Sequence, residues 1–190
     1  LGSNTTADNN SAFGDDALAL NTTGTNNSAF GEKALRWATT GANNTAVGQL
    51  ALGANTTGST NTTVGASSLA ANTTGVANSA VGAYALQSNT TGSNNTGFGY
   101  GALNSHTTGS ANTAVGKDAA KATITGASNT AMGFQALEAN QTGNNNTAIG
   151  LQALRLNTGH DNPAVGYGSL TTNTGTRNTG IGRYALHLAT

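Results

Sequence analysis

Asn44-Thr45-Ala46-Val47-Gly48-Gln49-Leu50-Ala51-Leu52-Gly53-Ala54-Asn55-Thr56-Thr57-Gly58-Ser59-Thr60 is a unit of 17 residues, and the rest of the 190-residue chain is variations on it. Counting from its first asparagine, position 1 is Asn in all eleven copies, from Asn10 to Asn178. Position 4 is always large and apolar, position 5 is always Gly, and position 9 is Leu apart from Ala120. Positions 14 and 15 read Thr-Gly in every complete copy. The last two complete copies, with Asn157-Thr158-Gly159 and Asn173-Thr174-Gly175, each lack one Thr. A fixed period below about 20 residues is the mark of a solenoid or fibre rather than an ordinary globule. The expected fold is therefore a β-rich repeat protein, a parallel β-solenoid of about eleven coils. Residues 1–190 read as a single array without a linker. Leu1 fits position 9 and the chain closes inside the eleventh copy, so the expectation is a segment of a longer fibre, cut in mid-coil at both ends.

Composition narrows the function. Charged residues are 7% of the chain, against the usual quarter or so. Seven basic residues balance seven acidic ones, which leaves no basic footprint for nucleic acid or an anionic membrane. The chain contains no cysteine, hence no disulfide framework and no thiolate metal site. No apolar run approaches the roughly 20 residues of a membrane span.

The charges fall on few positions. Asp15, Glu32, Lys117 and Arg183 are at position 6; Asp16, Lys33 and Asp118 at 7; Arg36, Lys121, Glu138 and Arg155 at 10; Asp8, Asp161 and Arg177 at 16 and 17. Unpaired charge is rarely buried, so these positions should face water, while 8, 9 and 11 should be covered. That spacing and the helix-forming stretches 32–37 and 151–156 favour one helical turn over positions 6 to 11, with Glu32 and Arg36 paired at i, i+4. A second short strand is the competing reading. Positions 1 to 4 read as a strand with Thr45 and Val47 on one face and Asn44 and Ala46 on the other.

This pattern predicts two buried columns: Val47, Val64, Val81, Val115 and Ile149 from position 4, and Leu52, Leu69, Leu86, Leu137 and Leu154 from position 9. Asn44, Asn61, Asn78, Asn95 and Asn112, recurring in register, predict a ladder of stacked side-chain amides. Asn-Thr-Thr-Gly is turn chemistry, in which Asn and Gly tolerate positive φ. Two large apolar side chains are few for a coil of this size. Position 3 is Ala in eight copies and Gly in two. If Val47 points inward, Ala29, Ala46, Ala80, Ala114, Ala131 and Ala148 form a small outward column, suited to close approach by further copies of the chain in a homotrimer. Thr63, the larger exception, should reach a backbone partner.

Asn-Ser-Ala-Val-Gly (78–82) and Asn-Thr-Ala-Ile-Gly (146–150) resemble the Ala-Ile-Gly coils of trimeric autotransporter adhesin heads, the YadA-like β-roll. The fuller pattern Asn-Thr-Ala-Val-Gly-x-x-Ala-Leu-x-x-Asn-Thr-Thr-Gly is similar to repeats in bacterial and phage tail-fibre proteins. The resemblance spans the whole chain, with the Asn-Thr-Thr-Gly loop an addition to the shorter adhesin coils. It implies a homotrimeric fibre on a cell surface or virion, extracellular, with a surface glycan or receptor engaged through a separate tip.

No catalytic or cofactor site is expected. His106, His160 and His187 lie on different columns and distant coils. Gly97-Phe98-Gly99-Tyr100-Gly101 imitates a dinucleotide fingerprint without its strand-to-helix context. Asp161 in Gly159-His160-Asp161-Asn162 is a single carboxylate, too little for Ca²⁺. Asn-x-Thr sequons such as Asn43-Asn44-Thr45 follow from the repeat itself. Tyr84, Tyr100, Tyr167 and Tyr184, with Phe134 and Leu151, form an outer ridge that either shields the coil or grips sugar rings; shielding is the simpler reading. Trp37 should be partly covered beside Leu20. The alternative function is an ice-binding solenoid using Thr columns, although Thr-x-Thr spacing, as at Thr123-Ile124-Thr125 and Thr172-Asn173-Thr174, does not recur from coil to coil.

Overall fold

The computed structural model describes residues 2–189. Three-residue strands recur in register: Ser11–Phe13, Ser28–Phe30, Thr45–Val47 and their successors, ending at the two-residue strand Gly180–Ile181. Each pairs in parallel with the strand one coil away, giving a single sheet of eleven strands. Like residues face like residues, Thr45 against Thr62 and Val47 against Val64. Ten steps at about 4.8 Å make the stack ~48 Å long. The two shorter copies keep this register, with Ala148 against Ala164 and Ala164 against Gly180. In these last coils Leu156–Asn157, Thr172–Asn173 and Leu188–Ala189 add a second, three-stranded parallel sheet.

Positions 6 to 11 form no helix, and there is none among the described residues. They form successive tight turns instead. Ala17 N–H donates to Gly14 O, Ala19 N–H to Asp16 O and Asn21 N–H to Leu18 O. Positions 7 and 9 are left-handed in coil after coil, as at Asp16 (φ 54°) and Leu18 (φ 50°). A helix keeps its hydrogen bonds to itself and is about 10 Å across. Coils ~4.8 Å apart leave no room for that, and their amides must bond between coils. Leu18 N–H donates to Ala34 O, and Leu20 N–H to Arg36 O. Helix propensity loses to this closure requirement. The anticipated Glu32–Arg36 pair is also replaced. Glu32 holds Lys33 at 2.7 Å, and Arg36 reaches back one coil to Asp16 at 3.3 Å.

The interior is thin. Position 9 fills most of it, with Leu52, Leu69, Leu86, Leu137 and Leu154 fully buried, and position 8 adds a column of small residues such as Ala51 and Ala85. Position 11, expected inside, is only half covered, and Trp37 is 49% exposed.

The remaining interior room goes to position 3, which overturns two expectations. Ala29, Ala46, Ala80, Ala114, Ala131 and Ala148 point inward and are fully buried within one chain. They form no outward interchain column. The position 4 side chains point outward: Val47 is 37% exposed, Val64 41%, and Val81, Val115 and Ile149 lie on the same face. The reason is space. A Cβ built onto Gly97 would sit 3.4 Å from Leu86 Cγ, so the leucine column already occupies everything beyond one methyl group. Thr63, forced into this column, has a buried hydroxyl without a hydrogen-bond partner.

Candidate functional site: the outward face of the sheet

Two asparagine ladders fix which side of each strand faces out. Asn61 donates its backbone N–H to Asn44 Oδ1 at 3.0 Å. Its Nδ2 donates to the same oxygen at 3.2 Å and to Gly75 O at 2.9 Å. Asn78, Asn95 and Asn112 repeat the backbone bond to the asparagine one coil earlier and the Nδ2 bond to a Gly carbonyl. Every one of these side chains is buried. The second ladder, at position 12, was missed at the sequence level. Asn72 Nδ2 donates to Asn55 Oδ1 at 2.9 Å, and Asn89 Nδ2 to Asn72 Oδ1 at 2.9 Å. Its signal was the recurrence of Asn at position 12, read there only as loop chemistry.

The loop glycines also differ from the expected turn. Gly24, Gly41 and Gly58 are not left-handed. They are needed for close approach, since a Cβ on Gly41 would press on Gly58 O and on Asn55 Nδ2. Left-handed backbone instead occurs at position 17, as at Asn26 and Asn43, and at the position 5 glycines, such as Gly48 with φ 131°.

With positions 1 and 3 directed inward, positions 2 and 4 share the outward face. Position 2 supplies Ser28, Thr45, Thr62 and Thr96 as a hydroxyl column. Beside it runs an exposed apolar column that includes Phe13, Phe30, Val47, Val64, Phe98, Met132, Ile149, Val165 and Ile181. It continues through the half-exposed Val81 and Val115. No charged residue interrupts either column. Isolated exposed apolar residues are ordinary, whereas a contiguous row is the usual mark of an interaction surface.

A second surface is the ridge at positions 6 and 7. Tyr84 and Tyr100 meet edge to face with centroids 5.6 Å apart, and Tyr167 and Tyr184 are 4.8 Å apart. The Tyr184 hydroxyl raises the phenol of Tyr167 above its ordinary value. Lys117 lies 5.9 Å from the Tyr100 ring, and Arg183 5.2 Å from that of Tyr184. The charges at these positions are mostly exposed, and Lys33 and Gln49 lower the Glu32 carboxyl by hydrogen bonding to it. Asp118, at an expected solvent position, is the exception, with 8% exposure.

The histidines stay apart. His106 is buried in the second ladder, with Nε2 2.7 Å from Gly109 O and Nδ1 3.2 Å from Thr123 O. Burial pushes its pKa down, and the two carbonyls oppose that only in part. His160 accepts from Asn144 N–H at 3.0 Å, and His187 lies against Tyr184. No group of three or more potential metal ligands exists among the described residues.

These features define a parallel β-solenoid with an apolar outward sheet face. Comparison with protein-family models, curated proteins and solved structures gave no match.

Proposed function

We propose that this chain is a structural segment of a surface fibre, non-catalytic along its length, in which three copies pack side by side through the outward column at position 4. The observation that carries this reading is the unbroken apolar column from Phe13 to Ile181 on a sheet with identical register in every coil. Such a row is stabilised when another protein surface covers it. A second copy offers a matching row at the same spacing. The number three and the placement on a cell surface or virion come from the resemblance to adhesin heads and tail-fibre repeats. The interface moves from the alanines to the face that is exposed.

Sedimentation equilibrium tests the assembly. The wild-type chain should be trimeric, and Val64→Asp with Val81→Asp should yield monomers with an unchanged circular dichroism spectrum. A folded monomer at all concentrations would end the reading.

One observation supports an ice-binding alternative: the hydroxyl column at position 2 runs beside the apolar column on one face. Phe13, Phe30, Phe98 and Met132 make that face uneven, which favours packing against protein over ordering of water. Thermal hysteresis at micromolar protein would favour the alternative.

A further inference from the structure

The coil of residues 112–128 breaks three columns at once. Its position 9 is Ala120, between Leu103 and Leu137, and the inward positions beside it are again alanines, Ala114 and Ala119. The leucine column is therefore underfilled there. Position 12 is Thr123, whose Oγ1 is buried without a hydrogen-bond partner. His106, one coil earlier, meets the Thr123 carbonyl with Nδ1 at 3.2 Å, and Asn140, one coil later, donates from Nδ2 to Gly143 O of its own coil. The second ladder is thus interrupted on both sides of Thr123. Position 13 is Ile124, which has no hydroxyl to pass to the next coil as Thr73 does to Thr90 O at 3.1 Å. Ala38 interrupts the same ladder, but its coil keeps Leu35 in the core and Thr39 bonded to Thr56 O. The strand side of the 112–128 coil is intact. Thr113–Val115 pairs with a strand on each side. Asn112 Nδ2 donates to Asn95 Oδ1, and Asn129 Nδ2 to Asn112 Oδ1, both at 3.1 Å.

We propose that this coil is a hinge: positions 9 to 13 part from the neighbouring coils while the strand Thr113–Val115 stays paired, and the solenoid bends there. In a repeat array each coil is held by its two neighbours, so local opening collects where those contacts are poorest. The backbone bonds of the hinge are of the ordinary kind. Ala120 N–H donates to Ala136 O, Ala122 N–H to Glu138 O and Ile124 N–H to Gln141 O. These bonds break when the hinge opens, and the side chains make that cheaper than elsewhere. Opening exposes an alanine where other coils expose a leucine, so less apolar burial is lost. It also gives the idle Thr123 hydroxyl a water partner. The paired strand and the first ladder act as the fixed leaf, which sets the direction of bending. The hinge does not depend on the fibre reading.

Amide hydrogen exchange of the intact chain, read residue by residue by NMR and corrected for intrinsic rates, tests it. The amides of Ala120, Ala122 and Ile124 should exchange about tenfold or more faster than those of Leu52, Ala54 and Thr56, which make the same bonds in another inner coil. The amides of Thr113 and Gly116 should stay as protected as those of Thr45 and Gly48. Ala120→Leu should slow exchange at Ala122 and Ile124 about tenfold or more. Leu103 at φ 52° and Leu137 at φ 55° show that leucine accepts the backbone that Ala120 holds at φ 48°. Thr123→Asn, which returns the ladder residue, should act in the same direction. Circular dichroism confirms that each variant folds. The proposal is overturned if the three hinge amides exchange no faster than their equivalents, if Thr113 and Gly116 exchange as fast as they do, or if neither folded variant slows them.

Discussion

Asn21 Oδ1 is buried without a hydrogen-bond partner because the residue one coil later, Ala38, has no amide to offer it. Where the ladder is intact, Asn72 donates to Asn55 at 2.9 Å. Ala38 and His106 are two of the interruptions of that column, and Asn89 Oδ1, just before His106, is likewise unpaired.

Ala38→Asn should therefore stabilise the protein. Its amide would donate to Asn21 Oδ1 and accept from Asn55 Nδ2, a gain of about 1 kcal/mol. Urea denaturation followed by circular dichroism measures it. A loss of stability would mean that the coil has closed around the alanine.

Backbone conformation supplies a second contrast. Gly48→Ala should cost about 3 kcal/mol or more, because the new Cβ would lie 2.6 Å from Gly65 O at φ 131°. Ala77, at φ 55°, occupies a left-handed site that Asn holds in coils such as those of Asn26 and Asn43. Ala77→Asn should raise stability by about 0.5 kcal/mol or slightly more. Thermal melts of the two variants should move in opposite directions.

The assignment of inside and outside is testable in the same way. Ala46→Val should cost about 1–3 kcal/mol by overpacking. Leu69→Ala should cost about 2–5 kcal/mol through a cavity. Val47→Ala should change the stability of the isolated chain by no more than about 0.5 kcal/mol. Arg155→Ala loses a part-exposed contact with Glu138 at 2.8 Å, worth at most about 1 kcal/mol. A larger loss at Val47 than at Ala46 would reverse the inward and outward columns.

His106 should make stability depend on pH. Burial holds its folded pKa below the ordinary value of 6.5. The unfolded chain then binds the proton more readily than the folded one. Its contribution is complete above that value and is lost as pH falls through it toward the folded pKa. Melting temperature should fall between pH 8 and pH 5, and His106→Asn should fall less while repairing the ladder at Asn89. Equal acid sensitivity in the two proteins would assign the effect to other groups.

The period, the parallel register, the leucine column and the recurring asparagines were legible in the sequence because each depends only on what returns every coil. The orientation of Ala46 and Val47 was not. Size argued for valine inside, but the parity of the strand ties Ala46 to Asn44, and it is the buried amide of Asn44 that decides. A reading that placed the ladder inside first would have turned the valines out. The turns at positions 6 to 11 were hidden for another reason. Leu18 and Leu35 adopt φ near +50°, a conformation leucine disfavours, and only the spacing between coils requires it.

The hydrogen bonds that join the strands run along the stack, from Ser28 N–H to Asn44 O and from Thr45 N–H to Asn61 O. A force that pulls the two ends apart therefore loads these bonds coil by coil, as a zip, instead of shearing a whole sheet at once. Each coil that opens releases 17 residues, an extended length of roughly 55–60 Å from a step of a few ångström. Under tension the solenoid behaves as a stack of small fuses, yielding in uniform increments and absorbing work at each one before any covalent bond is strained.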